Sequence, residues 1–301
     1  YRDLVDARIK VLYRQQMQIE AQKAIRQEAQ LDVARYPTNT IAVLYFENRG
    51  SKRELDPLQK GLAEMLITDL SKVQSLKVVE RIRLQKLVEE LNFSETNLVD
   101  PRTAPRVGRL VGAYRIVKGT FFDMAGEKMR IDALVAKSKS GELDGTSNIS
   151  GEVRNFFTLE KELVFKILKD LRIKITDDER EAILTIPTEN FFAFLQYSRG
   201  LDYEDKGQYQ QAIDAYSQAV QADPKFSQAK SNLNTAQKTQ QIVEPAVSTS
   251  TQNQTSNTTS STKGTKTAVI APQAPPPSSA AVRENANSIA NRAGSSLGNI
   301  S

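Results

Sequence analysis

The 301 residues are enough for one sizeable domain and a smaller one, and they include no Cys, no His and no Trp. Such a composition lacks a thiolate nucleophile, an imidazole base and a zinc-type ligand set, so any catalysis would rest on carboxylates, Lys, Tyr or Ser/Thr. The net charge of +5, from 41 basic and 36 acidic residues, is spread thinly along the chain, which speaks for solubility and against a nucleic-acid partner.

No run approaches the roughly 20 apolar residues of a transmembrane helix, and a start at Tyr1 rather than Met fits a processed or trimmed chain. Residues 1–36 read as one long polar helix stopped by Pro37. Val5, Leu12 and Ile19 recur every seven residues with Ile9 beside them, but Gln16, Lys23 and Arg26 break the seam. The expected role is packing on the next domain or a neighbouring subunit, with an autonomous coiled coil as the alternative.

Residues 37–187 read as an α/β domain. Ile41–Phe46 is an apolar run of the kind that forms a strand covered on both faces. Asp56-Pro57 supplies an N-cap and a first-turn proline for a helix carrying Leu58, Leu62, Leu66, Leu70 and Val73 on one stripe. A short strand at Lys77–Glu80 precedes a helix with Leu84, Leu87, Val88 and Leu91 inward. Asp100-Pro101 opens a third helix with Ala104, Val107 and Val111 inward, ending near Gly112. Strands follow at Tyr114–Asp123 and Met129–Lys137 around a tight Ala125–Lys128 turn, with a weaker one at Glu142–Ser150. A helix over about Val153–Leu171 and a capping box at Thr176-Asp-Asp-Glu179 close the domain before Pro187. The order β-α-β-α-α-β-β-α implies a mixed sheet in two or three layers.

Residues 188–242 read as two helices and part of a third. Residues 243–301, rich in Ser, Thr, Asn, Gln and Pro, form a low-complexity tail expected to be disordered.

Several fragments resemble the CsgG family in order and spacing. They are Val78-Val-Glu-Arg81, Leu84-Gln-Lys-Leu87, Leu98-Val-Asp-Pro101, Gly108-Arg-Leu-Val-Gly-Ala113, Val117-Lys-Gly-Thr120 and Ser140-Gly-Glu142. Ile41–Phe46 with Glu47-Asn48 is similar to the opening strand of TolB-like domains. The resemblance covers roughly residues 40–175. It implies a non-catalytic, cofactor-free assembly protein, periplasmic and outer-membrane-associated, forming homo-oligomers and meeting protein partners of an envelope complex. A lipid anchor upstream of residue 1 belongs to the same expectation. Pore-forming members of that family donate two long amphipathic hairpins to a shared barrel. The corresponding stretches here, Asp123–Lys128 and Leu143–Arg154, are too short, because a membrane strand needs about 9–11 residues and a hairpin two of them. A secretion-channel subunit is therefore the alternative reading.

Gly200, Tyr203, Ala212, Tyr216, Ala219 and Pro224 stand at the offsets of a tetratricopeptide repeat, with Gly207 and Tyr209 in its turn. One repeat cannot bury a core by itself, so it must pack on the α/β domain or on a partner. Arg102, Arg106 and Arg109 form a basic helical stripe and a candidate interface, through solvent or intersubunit ion pairs. No phosphate-cradling Gly-rich loop is present, and the adjacent carboxylates Glu89/Glu90 and Asp177/Asp178 point apart on a helix.

Overall fold

The computed structural model describes residues 2–92 and 103–252. Helix α1 (Arg2–Arg26) leads to strand β1 (Thr40–Asn48), helix α2 (Leu58–Leu70), strand β2 (Lys77–Val78), and helices α3 (Arg81–Glu90) and α4 (Thr103–Leu110). Strands β3 (Arg115–Met124), β4 (Lys128–Lys137) and β5 (Leu143–Glu152) follow, then helices α5 (Phe156–Asp170) and α6 (Asp177–Leu184). Three more helices, α7 (Phe191–Asp205), α8 (Tyr209–Ala222) and α9 (Ser227–Gln252), complete the described chain.

The five strands form one mixed sheet in the order β2-β1-β3-β4-β5, parallel around β1 and antiparallel from β3 to β5. Both faces are covered. Ile116 of β3 faces Gly108 of α4, where an added Cβ would lie 2.4 Å from the isoleucine. Gly151 of β5 faces Leu159 of α5. Residues 116 and 121 lie five apart on an unshifted strand and so point to opposite faces, which is why Ile116 and Phe121 are both buried. Helix α2 packs beside α5, and α1 lies over α3.

The leucine stripe of α2 is wholly buried, as its i, i+4 spacing requires. Gly112, with φ +73°, ends α4 in a six-to-one turn in which Ala113 N–H donates to Gly108 C=O. The Thr176/Glu179 capping box of α6 is present in both directions.

Three expectations need correction. The N-terminal helix ends at Arg26, and residues 28–30 and 33–35 form two short 3-10 turns before Pro37. On this helix Ala7, Met17 and Ala21 face inward, and Val5, Ile9, Leu12 and Ile19 face outward, 39, 58, 64 and 66% exposed. Asp56 does not cap α2, because its Oδ1 accepts from Asn48 Nδ2 at 2.7 Å and the helix starts at Leu58. The segment read as a weak strand is a full ten-residue edge strand, β5. Its polar alternation was faint because one face is open to solvent and the other meets α5 through Gly145, Ser147 and Gly151.

Asp100-Pro101 and the expected tail from residue 253 onward lie outside the described residues. Helix α9 passes the expected boundary at 242 and runs to Gln252.

Candidate functional site

The helical pair is built around small residues. A Cβ on Gly200 would lie 2.3–2.8 Å from three atoms of the Tyr216 ring, so α7 and α8 meet at a separation only glycine permits. Ala212, Tyr216 and Ala219 are buried, Tyr203 packs at the edge of the core, and Pro224 is exposed just beyond α8. Gly207, with φ +72°, turns the chain between the helices. All six residues read from the repeat pattern thus lie on α7, on α8 or just beyond them, and four of them are buried between the helices.

The inner face of α7 is seated on the α/β domain. Gly61 of α2 lets α7 approach so closely that a Cβ there would lie 1.9 Å from Ser198 Oγ. Phe156 and Phe157 of α5 meet Phe191 and Phe194 of α7 edge-on, at centroid separations of 5.3–5.5 Å for the Phe156–Phe191 and Phe157–Phe194 pairs. The stack continues through Tyr197, which lies 4.9 Å from Phe226.

The last turn of α7 carries three acidic residues that sequence reading passed over: Asp202, Glu204 and Asp205. Acids at a helix C-terminus oppose the helix dipole, and that mismatch was the available signal. Each is answered from the α/β side. Lys60 of α2 lies 2.7 Å from Asp202 and 3.4 Å from Asp205. Arg81 of α3 pairs with Asp205 and, through Nε, with Glu64 at 2.9 Å. Lys10 and Arg14 of α1 reach Glu204 at 2.6 and 3.0 Å, and Arg14 also donates to the Glu204 carbonyl and to Tyr209 Oη. Burial alone would raise Glu204 and Asp205, but Lys10 and Arg14 on the one, and Arg81 and Lys60 on the other, hold both below the usual carboxylate range. Tyr216 donates to Glu204 Oε2 at 2.7 Å. Burial first, and that carboxylate second, push its hydroxyl well above the ordinary tyrosine value. The acidic clasp ties α1, α2 and α3 to the helical pair.

The arginine stripe of α4 is occupied within the chain. Arg106 grips Glu28 with two nitrogens, Nε at 2.8 Å and Nη2 at 2.8 Å, and Arg109 donates to the Ser138 carbonyl at 3.1 Å. Arg102 lies outside the described residues. Two positions where hairpins could leave the domain hold other structure: Met124 and Lys128 pair directly across a three-residue turn, and residues 143–152 are β5.

Among the described residues, the outer stripe of α1 groups four exposed large apolar side chains. Val5, Ile9, Leu12 and Ile19 follow i, i+4, i+7 and i+14 and share one face. Beneath them, Tyr13 donates to Glu80 at 2.6 Å, and Gln18 and Gln22 each donate to Glu90 Oε1 at 3.0 Å, fixing the helix on α3. Among the described residues no helix is long and apolar enough to cross a membrane, and no group of acidic side chains has a metal-ligand arrangement.

Comparison with known proteins places this geometry. Residues 14–127 match the family described as curli production assembly/transport component CsgG, and residues 193–226 match the tetratricopeptide repeat. A protein of Rhizobium meliloti (strain 1021) that carries the name of an adenylate cyclase is 28% identical over 142 residues. That match takes in 47% of this chain and 22% of the relative, so the chain spans about a fifth of that protein's length. Among solved structures, the LpoB C-terminal domain from Salmonella enterica is 17% identical with a TM-score of 0.33, covering 45% of this chain and 95% of that one. A lipoprotein of Neisseria meningitidis is 13% identical with a TM-score of 0.34, covering 46% and 99%. Likenesses at this distance carry no argument about function. The chain therefore joins a region of CsgG type, matched over residues 14–127, to a tetratricopeptide repeat that follows it in sequence.

Proposed function

We propose that this chain is a non-catalytic assembly protein of a bacterial envelope, periplasmic and outer-membrane-associated, that associates with further copies of itself. The observation that carries the reading is the outer face of α1. Four large apolar side chains stand on one stripe of a 25-residue helix whose opposite face is already fixed to the domain. A heptad-spaced apolar stripe has most to gain by burial against another helix, at about 1.5–3 kcal/mol for each large side chain fully covered. The envelope setting rests on the CsgG match, whose description names assembly and transport. In this reading the tetratricopeptide pair braces the domain with α7 and offers a partner the polar outer faces of α8 and α9.

The test is the mass of the full chain by light scattering after size exclusion, without detergent. The parent is expected to run as a discrete multimer and the Ile9→Glu/Leu12→Glu variant as a monomer with the parent's helix content by circular dichroism, since both side chains face solvent in the single chain. A monomeric parent at about 100 μM, or a variant that keeps the multimer, would overturn the reading.

The runner-up is a secretion-channel subunit. It is disfavoured because the three residues between Met124 and Lys128 leave no room for a membrane hairpin. Ion conductance of the purified chain in planar bilayers would reverse that order.

A further inference from the structure

A cavity of about 300 Å³ opens at the junction of α2, α6 and α7, at the low end of the range for small-molecule sites. Its walls are apolar and aromatic: Met65, Phe194, Tyr197 and Phe226. Its floor is a charged cluster. Asp69, nearly fully buried, receives Lys72 Nζ on Oδ1 at 2.7 Å and Lys161 Nζ on Oδ2. Lys72 also donates to the Ala182 carbonyl at 2.9 Å.

Behind the floor stands Glu160, fully buried, with Oε2 3.2 Å from Lys161 Nζ and neither oxygen accepting a hydrogen bond. Burial, and after it the neighbouring Asp69, push its carboxyl up to about 8. The ammonium groups of Lys72 and Lys161 converge on the one carboxylate of Asp69. Glu64, also at the cavity, shares Arg81 with Asp205. An ammonium has three N–H donors, and Lys72 uses two of them on Asp69 and Ala182.

We propose that this cavity binds a small monocarboxylate with an apolar body, the carboxylate on Lys72 and Lys161 and the body against Met65, Phe194, Tyr197 and Phe226. A carboxylate gives the remaining Lys72 donor a charged acceptor beside two convergent ammonium groups, and the apolar walls cover its body. An amine would set a third ammonium beside these two and offer them no acceptor, and a neutral amide offers only an uncharged one. Such a carboxylate arises either on a free acid or at the end of a peptide with an apolar last residue.

The test is calorimetric titration of the full chain at pH 7 with 3-phenylpropionate, its neutral amide, the corresponding amine 3-phenylpropylamine, and N-acetyl-Gly-Phe. Saturable binding of at least one of the two acids is expected, with the amide at least ten-fold weaker and the amine silent. Lys72→Met, at a half-buried position, should weaken the binding acid at least ten-fold. Preference for N-acetyl-Gly-Phe would assign a peptide terminus, and preference for 3-phenylpropionate a free acid. No saturable binding of either acid, or amide or amine binding as tight as the acid, would overturn the proposal on the parent chain alone, before any variant is made. Undiminished binding by Lys72→Met would overturn it equally.

Discussion

At the residue scale, Glu160 is the side chain whose environment departs furthest from its chemistry. Its ordinary value is 4.5 and its folded value about 8, raised by burial and then by Asp69. Between those two pH values the folded chain holds a proton that the unfolded chain releases. The associated stability is complete below about 4.5 and is lost progressively as pH rises to about 8. Glu160→Gln keeps the shape and stays neutral. Its melting temperature should match the parent's near pH 5 and exceed it by several degrees at pH 8.5. A variant less stable than the parent across the whole range from pH 5 to 8.5 would mean that Glu160 is ionised in the fold well below pH 8. Gly200 shows the opposite kind of constraint, steric rather than electrostatic. Glycine in a helix interior costs stability relative to alanine, and here that cost is offset by the room its missing Cβ leaves for the Tyr216 ring, so the repeat pattern made the contact legible.

At the scale of elements, the acidic end of α7 decides how the helical pair sits. Desolvating several charges is costly, and it is offset here because each carboxylate meets cations from separate elements. Asp205→Ala would leave Arg81, which is almost fully buried and whose charged form is stabilised by Asp205 and Glu64 against the opposing effect of burial, with Glu64 alone. The expected cost is about 3–5 kcal/mol, as for other buried pairs broken on one side. Urea denaturation measures it, and limited proteolysis should show the α7–α8 turn cut sooner than in the parent. Adding Arg81→Met should recover part of the loss, since the buried charge left with one partner is then gone and Glu64 is partly exposed to solvent. Full stability in the single variant would show that the clasp contributes little.

At the scale of the whole molecule, much of the architecture was legible. The α2 stripe, the Gly112 cap and the succession of elements rest on local rules that the tertiary structure reinforces. The tetratricopeptide offsets were legible because small residues at fixed spacing record helix contact. What stayed hidden was direction and partnership. In α1 the inward face is made of Ala7, Met17 and Ala21 with Lys10 and Arg14, so apolar bulk marked the outside and hydrophobicity did not tell which face meets the domain. The arginines of α4 looked available, yet Glu28 and the Ser138 carbonyl lie far away in sequence. The acids at the end of α7 left a local mark, but their partners did not, since Asp205 and Arg81, like Asp69 and Lys161, meet only after folding.

The acidic clasp has a consequence for inheritance. Positions 10, 14, 60 and 81 each supply a cation to an acid at 202, 204 or 205. A change of sign at one is tolerable only when its counterpart changes with it. These seven positions should therefore drift together through a lineage as a single character, while the solvent-facing glutamines of α8 vary one at a time.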